Sequence, residues 1–293
     1  MILNRPSEGL LSVLLVLRKA IVAFGPMPTE RLLALVAPAS ATDEEPTKGA
    51  AAKTLNRWVQ LGFFNREGGI VSLASPFDGP TATIEDLRTE LLKLVLAGQN
   101  NADLHEGAGD RTSSGASDFT RAVAWALMQD PYELSAEPDL ERFARSQLVA
   151  PDIFTNDTRR LGFDDWAHFL GFALPIGSGR TINPARAIRP HVQEILKHNK
   201  EVPVRQFVAL LAEAVPVIDR GTYWLAVLKQ TTKPRRLLES QEVSPCLTLG
   251  LRQLEHEGSL YIHKRSDAQE QMVLLGRKDR PLQTVTHVSR GDA

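Results

Sequence analysis

Apolar positions along the first 75 residues change period twice. From Glu8 to Phe24 they recur at helical spacing, with Leu10, Leu14 and Leu17 on one face, Ser7 placed to cap the start and Gly25-Pro26 to end it. A shorter helix follows, with Thr29 as N-cap, Leu32, Leu33 and Val36 apolar, and Pro38 as its stop. The polar run Ser40–Pro46 reads as a loop. A third helix, about Lys48 to Leu61, packs through Leu55, Trp58 or Val59, and Leu61, and leaves Lys53, Asn56, Arg57 and Gln60 on its outer side. In LNRWVQLGFFNREGGIVSLAS (Leu55–Ser75) the period then changes. Gly62 fits the left-handed residue that ends a helix, and Phe63-Phe64 and Ile70-Val71 make a hairpin across Gly68-Gly69. Three helices followed by a two-stranded wing predict a winged helix-turn-helix.

The same pattern recurs. Near the C-terminus Ser244 caps a helix with Pro245 at its first position, Leu247, Leu251 and Leu254 form the buried stripe, and Gly258 takes the part of Gly62. Leu260–Ile262 and Met272–Leu275 follow as strands around a charged turn, and the helices before them are expected at about Val204–Ala214 and Thr222–Gln230. A third occurrence lies between: Trp166, then Gly171, then strands at Phe172–Leu174 and Thr181-Ile182 across Gly177-Ser178-Gly179. Pro175 and Pro184 confine those strands to edge or terminal positions. The helices ahead of it are expected at Ile84–Leu96 and Asp118–Met128.

The fold class read from this is mainly α with small β-hairpins (α+β), as tandem winged helix-turn-helix modules. The expected domains are 1–78, an N-terminal winged helix; 79–195, an acidic helical region that can hold a second; 196–277, a C-terminal winged helix; and 278–293, a loose tail. Residues 97–117, rich in Gly, Asn and Ser, read as a flexible loop.

Composition adds little to this and charge adds more. The chain has 293 residues, 43% hydrophobic and 24% charged, enough for two or three domains with real cores. A lone cysteine, Cys246, excludes an internal disulfide framework and suits a reducing cytosol. The run Gly9–Leu17 lacks the basic leader and cleavage site of a signal peptide, and no apolar stretch reaches the ~20 residues of a membrane span. The expectation is a soluble cytoplasmic protein that does not meet a membrane. Net charge is −1, unevenly spread: basic against acidic residues number 8 and 6 over 1–75, 6 and 13 over 76–149, 7 and 5 over 150–200, and 13 and 11 over 201–293. An acidic block thus separates three mildly basic segments, which leaves room for local basic faces.

Candidate chemistry follows from the modules. Lys53, Asn56, Arg57 and Gln60 are the residues a third helix would turn to a major groove, and Arg66 in the wing could reach a phosphate. The competing reading is a solvated helix face, since many winged helices serve protein–protein assembly. In the C-terminal module Thr248 and Arg252 are the corresponding exposed positions, with Lys264 and Arg265 in the wing. Glu255 and Glu257 beside them would repel phosphate. In the middle, Arg159, Arg160, Arg180, Arg186 and Arg189 could neutralise phosphates on one face, but Asp157, Asp164 and Asp165 offer internal ion pairs instead. Gly177–Thr181 lacks the lysine and the earlier glycine of a P-loop. His256 and His263 lack the companions of a zinc site, and His168 reads as a packed or surface histidine. Asp130, Glu133, Glu137, Asp139 and Glu141 read as solvated charge or a face for a basic partner. Trp58, Trp125, Trp166 and Trp224 read as core. No hydrolase, metalloprotease or kinase motif is present, so the expectation is a protein without catalytic residues, metal or cofactor.

The opening residues MILNRPSEGLLSVLLVLRKAIVAFG, with the chain length and the winged-helix pattern, resemble the DpdG family. That family comprises accessory components of bacterial gene clusters that place 7-deazaguanine derivatives in DNA and restrict foreign DNA. The resemblance implies a role in a multi-protein phage-defence or DNA-modification system and carries over no functional residue. Tandem winged helices are also similar to the small accessory subunits of bacterial SMC complexes of the MukE or MksE kind. Those subunits bind a kleisin partner, a role the acidic middle segment would suit. Two functions therefore stand at this level: a module that binds or senses double-stranded DNA within a defence complex, and a scaffold subunit whose partners are other proteins. A homodimer is open under either.

Overall fold

A computed structural model describes residues 2–3, 9–37, 49–78, 83–104, 115–149, 152–176 and 179–291. The protein is α+β, mainly helical with small sheets. The chain divides into two compact units, Met1–Phe119 with Thr155–Trp166, and Thr120–Phe154 with Ala167–Ala293.

The first region runs α1 (Leu11–Phe24), β1 (Met27–Pro28), α2 (Thr29–Val36), α3 (Ala50–Gln60), β2 (Phe64–Glu67) and β3 (Ile70–Leu73). Ser7, Glu8 and the Ser40–Pro46 loop lie outside the described residues. Helical spacing puts Leu14, Leu17, Leu32, Leu33, Leu55 and Trp58 inside, all at most 1% exposed. β2 and β3 pair antiparallel from Phe64↔Leu73 to Glu67↔Ile70, and β1 joins β3 through Met27↔Val71. Gly68 and Gly69 take φ of 55° and 82°, the left-handed pair that a two-residue hairpin turn with right-handed strand twist requires. Trp58, Phe63, Phe64 and Phe77 form a run of ring contacts with centroids 4.7–5.8 Å apart.

The chain continues through α4 (Ile84–Val95), α5 (Ser117–Leu127), α6 (Pro131–Ala136), α7 (Leu140–Gln147) and α8 (Asp157–Leu170). A hairpin of β4 (Ala173–Ile176) and β5 (Gly179–Ile182) leads into α9 (Ala185–Lys197). After these come β6 (Glu201–Pro203), α10 (Val204–Ala214), α11 (Thr222–Lys229), β7 (Glu242–Val243) and α12 (Pro245–His256). The remaining strands are β8 (Leu260–His263), β9 (Met272–Leu275), β10 (Pro281–Val285) and β11 (His287–Arg290). The four tryptophans are core residues, at most 4% exposed. Trp58 and Trp166 pack 5.2 Å apart, and the Trp166 indole donates to the Gly9 carbonyl.

One backbone device closes three helices. Gly62, Gly171 and Gly258 have φ of +90°, +89° and +73°, and their N–H groups donate to Val59, His168 and Glu255. The next residue in each case, Phe63, Phe172 or Ser259, donates back to Trp58, Ala167 or Leu254, which completes a Schellman closure. The carbonyl of that residue then accepts from the far end of the following β segment, at Ala74, Asn183 and Gly291. The repeat expected around Gly62, Gly171 and Gly258 is thus a hydrogen-bonded unit. In the middle copy Ala167 stands at the place of Trp58, and Trp166 falls one residue earlier, as its spacing from Gly171 gives.

Several expectations are corrected. Within the stretch expected as a loose tail, residues 278–291 are ordered around two strands: β10 pairs with β9, and β11 lies between β6 and β8. Val285 and Val288 are fully buried there, an apolar content too sparse to show as periodicity. Both strands expected of the C-terminal wing form, yet β8 pairs with β11, while β9 pairs with β10 and, in parallel, with β7. Residues 98–104 are two short 3₁₀ turns, not an open loop, because Asn100 and Asn101 are buried and donate to the carbonyls of Leu94, Val95 and Ala97. Residues 105–114 lie outside the described residues. Thr29 opens α2 without capping it; its N–H and hydroxyl both donate to the Gly69 carbonyl, at 2.9 and 3.0 Å. No helix among the described residues is long and apolar enough to cross a membrane.

Candidate nucleic-acid interface

The sequence AAAKTLNRWVQ gives α3 a sharply two-sided character. Ala51, Ala52, Leu55 and Trp58 face the core, and Lys53, Asn56 and Gln60 are exposed, with Arg57 half-buried beside them. Arg57 Nη1 donates to Gln60 Oε1 at 3.1 Å, one turn on. Arg66 stands on β2 opposite Val71, and its Nη2 donates to Asn56 Oδ1 at 2.5 Å. This bond ties hairpin and helix into one surface. It engages one of the two lone pairs of Asn56 Oδ1, and the Asn56 amide also carries N–H donors. α3 carries no acidic residue, whereas Glu67 on the hairpin is exposed. The surface therefore offers cations and amide donors, which suits phosphate oxygens and the acceptor-rich edge of a major groove.

The Schellman glycines allow the other two closed helices to be compared with α3 position by position. Counting back from the glycine, Lys53, Asn56, Arg57 and Gln60 correspond in α8 to Gly162, Asp165, Trp166 and Phe169, with Trp166 fully buried. In α12 they correspond to Leu249, Arg252, Gln253 and His256. There Arg252 pairs with Glu255, and Gln253 is bonded to Asn183 and Glu257. Of these three helices, α3 exposes Lys53, Asn56 and Gln60 at the compared positions, with Arg57 half-buried. Thr248, expected exposed, is 2% exposed and lies within hydrogen-bonding distance of the Val243 carbonyl, because α12 packs this side against its own unit. Arg265 is held by Asp267 and Glu201, and Lys264 is exposed.

The central arginines are divided between the two compact units. The Arg159 side chain is 14% exposed and pairs at 3.6 Å with Asp118, whose carboxylate also accepts the N–H groups of Ile2 and Leu3. Arg160 lies 3.5 Å from both Asp157 and Asp164 along α8. Those two belong to the first unit, whereas Arg180 and Arg186, both half-buried on β5 and α9, belong to the second. Arg189 is bonded to Glu257.

The acidic residues of the middle are structural more than free charge. Asp130 is fully buried, caps α6 through Tyr132 N–H and lies 3.4 Å from Arg235. Asp139 caps α7, and Glu141 pairs with Arg145. His263 pairs with Glu201 at 3.2 Å and stacks on His287. Among the described residues no group of three or more His, Cys, Asp or Glu side chains is arranged to hold a metal ion. Three exposed cations went unnoticed in the sequence, Arg277, Lys278 and Arg280, because their RKDR run fell at the edge of the stretch read as tail.

The model of one protein family, described as DpdG-like, matches residues 1–268. The match covers the α3 surface and stops short of β9, β10 and β11. Neither the curated proteins nor the solved structures contain a match to the chain.

Proposed function

The chain belongs to the DpdG-like family, and on that premise we propose that it is a non-enzymatic accessory protein of a bacterial DNA-modification and phage-defence system, docking duplex DNA through α3. The family match supports a role in a DNA-modification system. The reading of α1 to β3 as a winged helix-turn-helix rests on element order and on the β1-β3-β2 sheet. In such modules the third helix enters the major groove and the hairpin meets the backbone. One observation carries the proposal: Arg66 on the hairpin is bonded to Asn56 on α3 at 2.5 Å, within a face that also displays Lys53, Arg57 and Gln60. Other subunits of the same system are its expected protein partners.

Three cations, Lys53, Arg57 and Arg66, would release counterions, so this face should contribute about −3 to the log–log slope of affinity against salt. The test is binding of a labelled duplex by anisotropy between about 50 and 200 mM salt. The expected result is that Lys53→Glu with Arg57→Glu lowers affinity at least about tenfold and flattens the slope. Absence of binding at the low-salt end, or binding indifferent to both reversals, would overturn it.

A scaffold function has its own support in α1, where Val16, Val22 and Phe24 are 48%, 58% and 66% exposed. Exposed apolar side chains on one helix give a partner protein area to bury. Absence of duplex binding at about 50 mM salt would favour this reading.

A further inference from the structure

The β9–β10 hairpin of the second unit turns through Arg277-Lys278-Asp279-Arg280, closed by the Gly276 N–H donating to the Arg280 carbonyl at 2.8 Å. Lys278 and Asp279 have φ of 57° and 55°. Two adjacent residues other than glycine thus sit in the left-handed region, a conformation that persists only where its surroundings impose it. The surroundings are explicit. Lys278 N–H donates to Oδ2 of the fully buried Asp130 at 2.6 Å, and the Asp279 carboxylate accepts from Arg235 Nη1 at 2.7 Å. Arg235 also lies 3.4 Å from Asp130 and 3.3 Å from Glu133.

This arrangement sorts the loop by charge. Its one acid turns inward to a guanidinium, while Arg277, Lys278 and Arg280 are exposed, and none of the three makes an ion pair among the described residues. The inward bond of Lys278 is made by its backbone, while its side chain is exposed at a position glycine would fit without strain. We infer that this loop is a second, sequence-independent contact for duplex DNA, gripping phosphates with Arg277, Lys278 and Arg280. Two guanidinium forks and one ammonium on a rigid turn match phosphate oxygens, and the four residues offer no apolar centre of the kind a protein interface is built around. The loop lies beyond the residues matched by the family, so family membership does not carry it. The inference takes from the proposed function only that the protein meets duplex DNA.

The test uses the full chain and the same labelled duplex, in two unrelated sequences. Lys278→Gly removes a charge without adding backbone strain, so its folding is secure. Combined with Arg277→Gln and Arg280→Gln, it should weaken binding equally for both sequences and lower the salt slope by about 2 to 3. An unchanged slope in the triple variant overturns the inference. Loss of binding in the Lys53/Arg57 reversal alone leaves the groove reading standing and this one refuted. Loss in the loop variants alone does the opposite, and a wild-type protein that binds neither duplex refutes both.

Discussion

Asn100 donates its side-chain N–H to the carbonyl of Leu61 at 3.1 Å, across 39 residues of sequence. Its amide nitrogen also donates to Leu94 at 2.9 Å, so one amide satisfies carbonyls at the C-terminal ends of both α3 and α4. Asn100→Ala would take this donor from the buried Leu61 carbonyl, while Leu94 keeps the Ala97 N–H, and should cost about 1–3 kcal/mol. Asn100→Asp should cost more, because a carboxylate oxygen would face two carbonyls. Denaturant unfolding checks this: the midpoint falls and the slope is unchanged.

Gly62 and Gly171 share a φ near 90° and differ in their surroundings. A Cβ at Gly62 would meet only Leu94 Cδ1 at 3.9 Å, whereas at Gly171 it would lie 2.7 Å from the Ala187 nitrogen. Gly62→Ala should therefore carry only the left-handed backbone cost, about 1–2 kcal/mol. Gly171→Ala adds a backbone clash and should lower the melting temperature clearly further, or prevent folding of the second unit. Parallel thermal melts of the two variants decide it.

Cys246 is fully buried, its Sγ 3.3 Å from the Gln129 carbonyl, and burial pushes its thiol well above the usual range. A disulfide reagent at neutral pH should not label the folded protein and should label one thiol per chain once it unfolds. Rapid labelling of the native state would contradict the packing of α12.

Burial also raises the carboxyl of Asp219 above the ordinary range, against the opposing pull of its hydrogen bonds from Ser244. A carboxyl with a raised folded value binds its proton more tightly in the folded state. It therefore favours folding at low pH and loses that contribution as pH rises from about 3.9, the unfolded value, through the folded one. Asp219→Asn keeps an oxygen for the Ser244 N–H and should remove this component of the pH dependence. Unfolding free energies of both proteins across that window test the sign.

What the sequence revealed was local. Gly62, Gly171 and Gly258 end helices within a few residues of the strands they introduce, so both the closure and the hairpin across Gly68-Gly69 could be read from short stretches. The outward residues of α3 followed from helical spacing alone. What stayed hidden depended on distant partners. Arg159 looked like a surface cation because Asp118, its partner, lies 41 residues earlier. Asn100 and Asn101 looked like loop residues because their value lies in carbonyls they cap elsewhere. The bond from Arg66 to Asn56 requires the hairpin to fold back over the helix, which spacing does not encode.

The strand order β6-β11-β8 places residues 287–290 between two segments synthesised earlier, 201–203 and 260–263. On the ribosome, both of those segments must wait with bare edges until the strand that joins them emerges. Meanwhile they are open to pairing with a neighbouring nascent chain. Production of this protein should therefore be sensitive to crowding of polysomes and to any extension that delays residues 287–290 from reaching their slot.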